Sequence, residues 1–572
     1  MSSGTPAARN GAKSILRKAG LLPVARRIAQ IFRAPSEYSG YERRFQQLKR
    51  QHAHVLGERL NNRHLRQRVA LVCCPGFPEV EIELGLIKGL QLSNFSPVVL
   101  IPDIWTYGEL LAEHYRLAAV DEIHQWGEFI GKGDSAIAES LVSRCKTVWD
   151  LLEFEHAGIG VGRIAVSTAL RSTYRGSLDL EVPEDRQCLV DAVTHSMAAA
   201  DAAQQIVRQF RPDLALFVDT VYSPTGELFE CCLHSDVDSV LWQAAHKSNA
   251  LIFKRYNFGT RHEHPNSLSP ESWRFVRDME WTEDHRRQLD RELYSTYASG
   301  DWYSVVGTQF NKSIVDSRNL RERFGLDPKK KTAFIYPHIL WDATLFWGEC
   351  LFRNFEEWLI ETVRAACAND QVNWVIKIHP GNQRLREQGS MKESAEVEAL
   401  HKYIGKLPPH IIMIPCNSEV STYSTFQVAD YCVTGWGTVG MEAARLGIPV
   451  LTGGRGFYDS RGFTVDSNTR EEYINKLRNI QAIPRLSSAQ QEMAERFAYA
   501  TFLLRPWHAK SVTLRYLPNK KKFLYQGQIN IKSREGWYTA DDIKAFVEFI
   551  ASPNKLDEYL AQPMPAAIGT TG

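Results

Sequence analysis

No apolar run in this 572-residue chain approaches the roughly 18 residues that a membrane-spanning helix needs. No basic n-region, apolar h-region and cleavage site open it either, so neither a spanning segment nor a secretory leader is expected. Ten cysteines are scattered through the sequence, with vicinal pairs at Cys73–Cys74 and Cys231–Cys232 but no C-x-x-C. That spacing fits neither a zinc site nor a disulfide framework, and it points to a reducing cytoplasm. No divalent metal is expected either, because strand-end cations and a helix dipole can take over its electrostatic part. Net charge is nearly absent as well, at +2, but its distribution is uneven. Residues 1–70 hold fifteen Lys or Arg against three Glu, so the remainder carries about −10. From Tyr41 to Arg68 the charged, Gln-rich helix pattern lacks aromatic interleaving, which argues against nucleic acid as a partner.

What is present exceeds one ordinary core, so two domains with appendages are expected. Residues 1–67 read as a basic helical N-terminal extension. Within residues 13–33, Val24, Ile28, Ile31 and Phe32 share one side of a helical pattern and Arg26, Arg27 and Arg33 the other. Such a segment can lie on an anionic membrane surface at the inner face of the membrane, or pack on the body with solvated arginines. Residues 68–310 and 311–535 read as two α/β domains, and 536–572 as a terminal helix and tail, with Thr539 as the helix cap.

The stretch from Gln371 to Thr452 organises the second domain. It runs QVNWVIKIHPGN, HIIMIPCNSEVSTYS and ADYCVTGWGTVGMEAARLGIPVLTGG, short Val/Ile-rich runs separated by polar loops and helix-like segments. Buried parallel strands with crossover helices have this pattern, and such sheets bind ligands at the strands' carboxyl ends. Those ends carry Lys377, His379, Thr434, Gly435, Gly437, Thr438 and, a helical turn on, Glu442. Lys377 and His379 share one strand face by the period of two. A cation beside a titratable imidazole suits a phosphate, and the histidine could also move a proton. The glycine turn opens onto a helix start whose N–H groups can hold phosphate oxygens.

These residues resemble the nucleotide-binding half of GT-B glycosyltransferases, in particular bacterial capsule-polysaccharide synthesis transferases and their CDP-glycerol glycerophosphotransferase relatives. That pattern is K-x-H-P at a strand end, a T-[DG]-x-[SG]-[ST] turn and an E-A-x-x-x-G-x-P helix, matched here by Lys377, His379, Thr438 and Glu442. FIYPHILWDATLFW (334–347) and YSPTGELFE (222–230) resemble capsule-synthesis segments too. The resemblance covers about residues 69–520. It implies an α/β fold of two Rossmann-like domains (GT-B architecture) behind the basic extension. It also implies a nucleotide-sugar donor rather than a bound cofactor, and a glycan or lipid-linked glycan acceptor. Where the glycerophosphotransferases read T-D-Y-S-S this chain reads Thr434-Gly435-Trp436-Gly437-Thr438, and the missing carboxylate favours a sugar donor over CDP-glycerol. A sugar-nucleotide 2-epimerase and a non-catalytic polysaccharide-binding scaffold of the same fold are the rivals.

The first domain offers the acceptor side. Glu79, Glu81 and Glu83 cluster at a helix start, where the dipole favours carboxylates, and Glu79 could alternatively face the cleft as a base. Asp219 ends the strand DLALFVD and is either an acceptor base or a turn cap. Thr225-Gly226-Glu227 opens the next helix and could hold acceptor or donor groups. Gly158–Gly162 reads as a tight turn, and His262 and His264 as a polar loop, because no third metal ligand accompanies them. His338 and Asp342 are candidate cleft contacts, Trp341 and Trp347 could stack on a base or sugar, and Arg455 and Arg461 are candidate phosphate partners.

Overall fold

The computed structural model describes residues 35–61, 67–103, 107–387, 389–517, 524–552 and 556–561. The basic segment 13–33 lies outside the described residues. In chain order, helix α1 (Pro35–Leu56) precedes β1 (Arg68–Cys73), α2 (Val80–Leu92), β2 (Phe95–Ile101), β3 (Glu122–Gln125), α3 (Val161–Thr173), β4 (Leu214–Phe217), β5 (Asp238–Ala244) and β6 (Ala250–Tyr256). Helix α4 (Glu283–Ala298) leads to β7 (Thr332–Tyr336), β8 (Glu349–Cys350), β9 (Asn373–Lys377), β10 (Ile411–Ile414), β11 (Tyr431–Thr434), α5 (Val439–Ala444), β12 (Val450–Thr452) and β13 (Gly454–Arg455). β14 (Trp507–His508), β15 (Val512–Leu517), β16 (Leu524–Ile529) and α6 (Asp541–Ala551) finish the described elements.

Two sheets result. The first has the order β14-β6-β5-β4-β1-β2-β3, with β3 to β5 parallel and β6 and β14 added antiparallel. The second, β10-β9-β7-β11-β12, is parallel throughout. Counted within each domain, both parallel cores run 3-2-1-4-5, the doubly wound order whose switch point falls between strands 1 and 4. These are the two Rossmann-like domains expected. Their central strands LALF, TAFIY and NWVIK are buried at every residue. Helices cover both faces, so the continuous apolar runs have no solvent side.

The domain edges differ from expectation. Helix α4, expected in the first domain, packs Leu289, Leu293 and Tyr297 into the core built on β7, β11 and α5. Residues 507–529, expected in the second domain, belong to the first: β14 pairs with β6, and Val512 of β15 lies against Gly85 of α2. Helix α6 also packs on α2, where Phe546 closes on Gly89 so tightly that a Cβ there would collide with its ring. Thr539 does not cap α6. Its hydroxyl bonds back to the carbonyls of Glu535 and Gly536, ending a separate helix, and Ala540 takes the cap position. The two domains meet directly. Ser177 Oγ donates to Glu356 at 2.6 Å, Asn354 Nδ2 to the Gly176 carbonyl at 2.9 Å, and Trp341 packs edge-on against Tyr174.

Candidate active site

A cavity of about 340 Å³ opens at the switch point of the second sheet, where the carboxyl ends of β7 and β11 part. Lys377, His379, Thr434, Gly437, Thr438 and Glu442 line it, joined by His338, Asp342 and Trp347 from the loop after β7. The aromatic wall comes from α4 and the turn behind it: Tyr297 is stacked on Trp302 with centroids 4.5 Å apart, and Tyr303 lies beside them.

Lys377 sets the electrostatics. It is the last residue of β9, 3% exposed, and its buried Nζ has no hydrogen-bond partner among the described residues. Burial, followed by the neighbouring Lys312 ammonium, brings its pKa down to about 7. Lys312 is itself occupied, donating to the carbonyls of Cys416 and Ser418 at 3.3 and 2.6 Å. Among the described residues no carboxylate forms an ion pair with Lys377 and no carbonyl accepts from its Nζ. Burial and then the two lysine charges lower His379 to about 4, so it is neutral at pH 7. The Gly381 N–H donates to His379 Nδ1 at 3.1 Å, which fixes the tautomer and leaves Nε2 as a donor.

The glycine turn works differently from its sequence-level reading. The Trp436 N–H, one of the groups expected to face phosphate, donates to Nε2 of His338 at 3.0 Å. His338 stacks on Phe355 with centroids 4.3 Å apart, and burial takes its pKa down to about 3. Gly435 is outside the cavity lining; a Cβ there would meet the His338 ring at 2.9 Å, so this glycine makes room for an imidazole. The Thr434 hydroxyl donates to the Tyr336 carbonyl at 3.2 Å, tying β11 to β7. Tyr458 holds the turn from behind, its hydroxyl donating to the Gly437 carbonyl at 2.8 Å. Glu442 accepts from Tyr297 OH at 2.7 Å, and burial pushes its pKa up to about 7, against the pull of that bond and of the Thr438 hydroxyl.

The other candidates lie elsewhere. Arg455 sits on β13, exposed, reaching Asn468 at 3.4 Å, because the β8–β13 ladder turns it away from the cavity. Arg461 donates to the Leu268 carbonyl at 3.3 Å and lies over Trp273. Glu79 accepts from Tyr516 OH at 2.6 Å on the hairpin side of α2, outside the cavity lining. Glu81 pairs with Arg44 of α1 at 2.9 Å, and Glu83 is buried against Tyr115 OH. Asp219 pairs with Arg171 of α3 at 3.0 Å and does not line the cavity. Glu227 is buried with a hydrogen bond from Ser196. Trp341 is 8% exposed in the interdomain core, leaving Trp347 to line the cavity alone of the two.

Sequence reasoning missed the α4 wall and the role of one histidine. His264 lies in a loop, as expected, but that loop lines the cavity, with the ring stacked on Phe457 at 4.3 Å and its Nδ1 accepting the Asn266 N–H at 3.0 Å. The aromatic periodicity of HRRQLDRELYSTYASGDWY could have flagged Tyr297, Trp302 and Tyr303 as a buried face, though not the ligand side of it. Among the described residues no group of three or more His, Cys, Asp or Glu is placed to hold a metal ion.

No protein-family model matches the chain, and no curated protein matches it. Among solved structures it is similar to KpsC, a beta-Kdo 2,4-transferase from Thermosulfurimonas dismutans, at 14% identity and a TM-score of 0.32, over 58% of this chain and 86% of that one. It is similar to a UDP-GlcNAc 2-epimerase from Neisseria meningitidis bound to UDP-GlcNAc, at 11% identity and 0.25, over 76% and 97%. A glycosyltransferase from Rickettsia africae gives 10% and 0.26, over 77% and 95%. Identities this low, with scores well below 0.5, leave the activity to be argued from the cavity.

Proposed function

We propose that the protein binds a nucleotide-activated sugar in this cavity and transfers the sugar to a surface or capsular glycan. One observation carries the reading: among the described residues a buried lysine at a strand tip has neither a carboxylate nor a carbonyl to satisfy it. An unpaired buried ammonium is costly, so Lys377 is best explained by an anion that arrives with the substrate. The His379 Nε2–H stands beside it as a neutral donor. Together they take up the charge that develops on the leaving phosphate, an electrostatic contribution that a dry, fixed site delivers strongly. Thr438 and Glu442 lie one helical turn apart on the same wall and suit ribose hydroxyls, once Tyr297 shares or yields its bond to Glu442. The aromatic wall of Tyr297, Trp302 and Tyr303 offers stacking area for the base.

The test is a melting-temperature panel with CMP, CDP, UDP and GDP on the wild type and Lys377→Met. A ligand present at 100 times its Kd stabilises by about 2.7 kcal/mol. A rise with at least one nucleotide, lost in Lys377→Met, is expected. No rise with any of the four refutes nucleotide binding. A soluble sugar isomer formed from nucleotide-sugar alone would replace transfer by epimerisation.

A further inference from the structure

The transfer reading needs a group to receive the acceptor's proton, and the hydrogen-bond pattern of the cavity gives that role to a residue the sequence offered only as a cleft contact. The cavity's three imidazoles are unsuited. His264 Nδ1, His338 Nε2 and His379 Nδ1 each accept a backbone N–H, from Asn266, Trp436 and Gly381, at 3.0, 3.0 and 3.1 Å. A backbone N–H can only donate, so each ring's lone pair is occupied and each offers only its remaining N–H. Glu442 is buried and holds the Tyr297 hydroxyl. Asp219 is outside the lining and has both oxygens engaged, Oδ1 by the Val221 N–H at 3.1 Å and Oδ2 by Arg171 at 3.0 Å.

Asp342 differs from Glu442 in being exposed and from Asp219 in lining the cavity with one oxygen not engaged among the described residues. It lines the cavity and is exposed, whereas Lys377, on the same lining, is buried. The exposure of Asp342 leaves it within reach of an acceptor arriving from solvent. Its Oδ1 accepts the Tyr222 hydroxyl at 2.7 Å, while the same hydroxyl accepts the Ala343 N–H at 2.9 Å. Tyr222 comes from the first domain and is held in turn by the Arg171 guanidinium, 4.1 Å from its ring centroid. The backbone at Ala343 has a φ of +48°, a conformation that a non-glycine residue adopts at a cost, and the Tyr222 bond supports it. Oδ2 takes no hydrogen bond among the described residues.

We propose that Asp342 is the catalytic base of the transfer, with Tyr222 as its positioning residue across the domain boundary; the inference rests on the transfer reading above. As the acceptor oxygen bonds to the anomeric carbon, its proton passes to Asp342 Oδ2. The bond from that carbon to the phosphate oxygen breaks, and its electron pair leaves with the nucleotide toward Lys377 and the His379 N–H.

The experiment compares wild type, Asp342→Asn, Tyr222→Phe and Asp219→Asn by two readouts. One is the melting shift with the nucleotide that stabilises the wild type. The other is nucleotide release from UDP-GlcNAc, GDP-mannose and CMP-sialic acid, with water and with capsular oligosaccharide as acceptor. Asparagine keeps the Tyr222 bond, so Asp342→Asn should fold and retain the shift while kcat falls about 100-fold with KM little changed. Tyr222→Phe should lower kcat about tenfold, again without a KM change, and Asp219→Asn should cost less than Tyr222→Phe. Wild-type turnover in Asp342→Asn would overturn the assignment and point to the donor phosphate as proton acceptor, and equal losses in Asp342→Asn and Asp219→Asn would overturn it too. A wild type that binds nucleotide but releases none from all three sugars removes the base together with the transfer step, whereas a wild type showing no nucleotide shift fails the earlier reading instead.

Discussion

Replacing Lys377 by methionine should make the empty protein more stable and at the same time abolish its nucleotide response. Burial takes this lysine from an ordinary 10.5 to about 7. At about 1.4 kcal/mol per decade of that change, the folded state at pH 7 carries a penalty on the order of 4 kcal/mol. Methionine fills the stem's volume without an amine to desolvate, and replacing buried charge by apolar volume typically gains about 1–4 kcal/mol. A gain of about 2 kcal/mol raises the melting temperature of a domain this size by roughly 4–8 °C. The pH dependence fixes the sign. Between about pH 7 and 10.5 the unfolded lysine holds a proton that the folded one has released, so wild-type stability rises with pH across that window. The advantage of Lys377→Met should accordingly be full below pH 7 and shrink toward pH 10.5. Lys88 is the internal control. It too is buried and lowered to about 7, but it donates to the Glu58 carbonyl, Gln91 Oε1 and the Ala118 carbonyl at 2.7, 3.1 and 2.9 Å. Lys88→Met strands those acceptors and should destabilise by about 1–3 kcal/mol. Scanning calorimetry of both variants from pH 6 to 10 decides the matter: a Lys377→Met protein less stable than wild type, like Lys88→Met, would refute the claim that this amine waits for a ligand.

Nucleotide affinity should fall as pH rises through about 7, approaching tenfold per pH unit above it, because the phosphate requires the protonated Lys377; titration calorimetry at pH 6, 7, 8 and 9 reads this, and a flat profile contradicts it. Gly435→Ala should destabilise by about 1–3 kcal/mol by driving a Cβ against the His338 ring, measured as a lowered denaturant midpoint at unchanged m-value. Glu442→Gln should relieve a penalty present above about pH 7 and vanishing as pH falls toward 4.5, since the folded carboxyl keeps its proton to a higher pH than the unfolded one; melting temperatures at pH 5 and 8 should show a larger gain at pH 8.

The parallel strands were legible because each is a short apolar run buried on both faces, and a lysine two residues before a histidine at such a strand's end could be placed on one face by alternation alone. β3 was not legible: EIHQ is an edge strand with no fully buried residue, so it carries no hydrophobic signature to read. The same limit explains Arg455 and Gly435. Both lie in or near the glycine turn in sequence, yet a two-residue ladder turns one outward, and the other's role is defined by a histidine almost a hundred residues away. Proton-transfer roles are further removed still. Whether a histidine can act as a base depends on which ring nitrogen already holds a backbone N–H, and that is a property of loop geometry with no correlate in residue type or spacing. His379 and Asp342 therefore exchange emphasis between sequence and structure: the histidine, prominent in its motif, has its lone pair engaged by Gly381, while the aspartate, only a candidate contact in the sequence, lines the cavity with an Oδ2 that takes no hydrogen bond among the described residues.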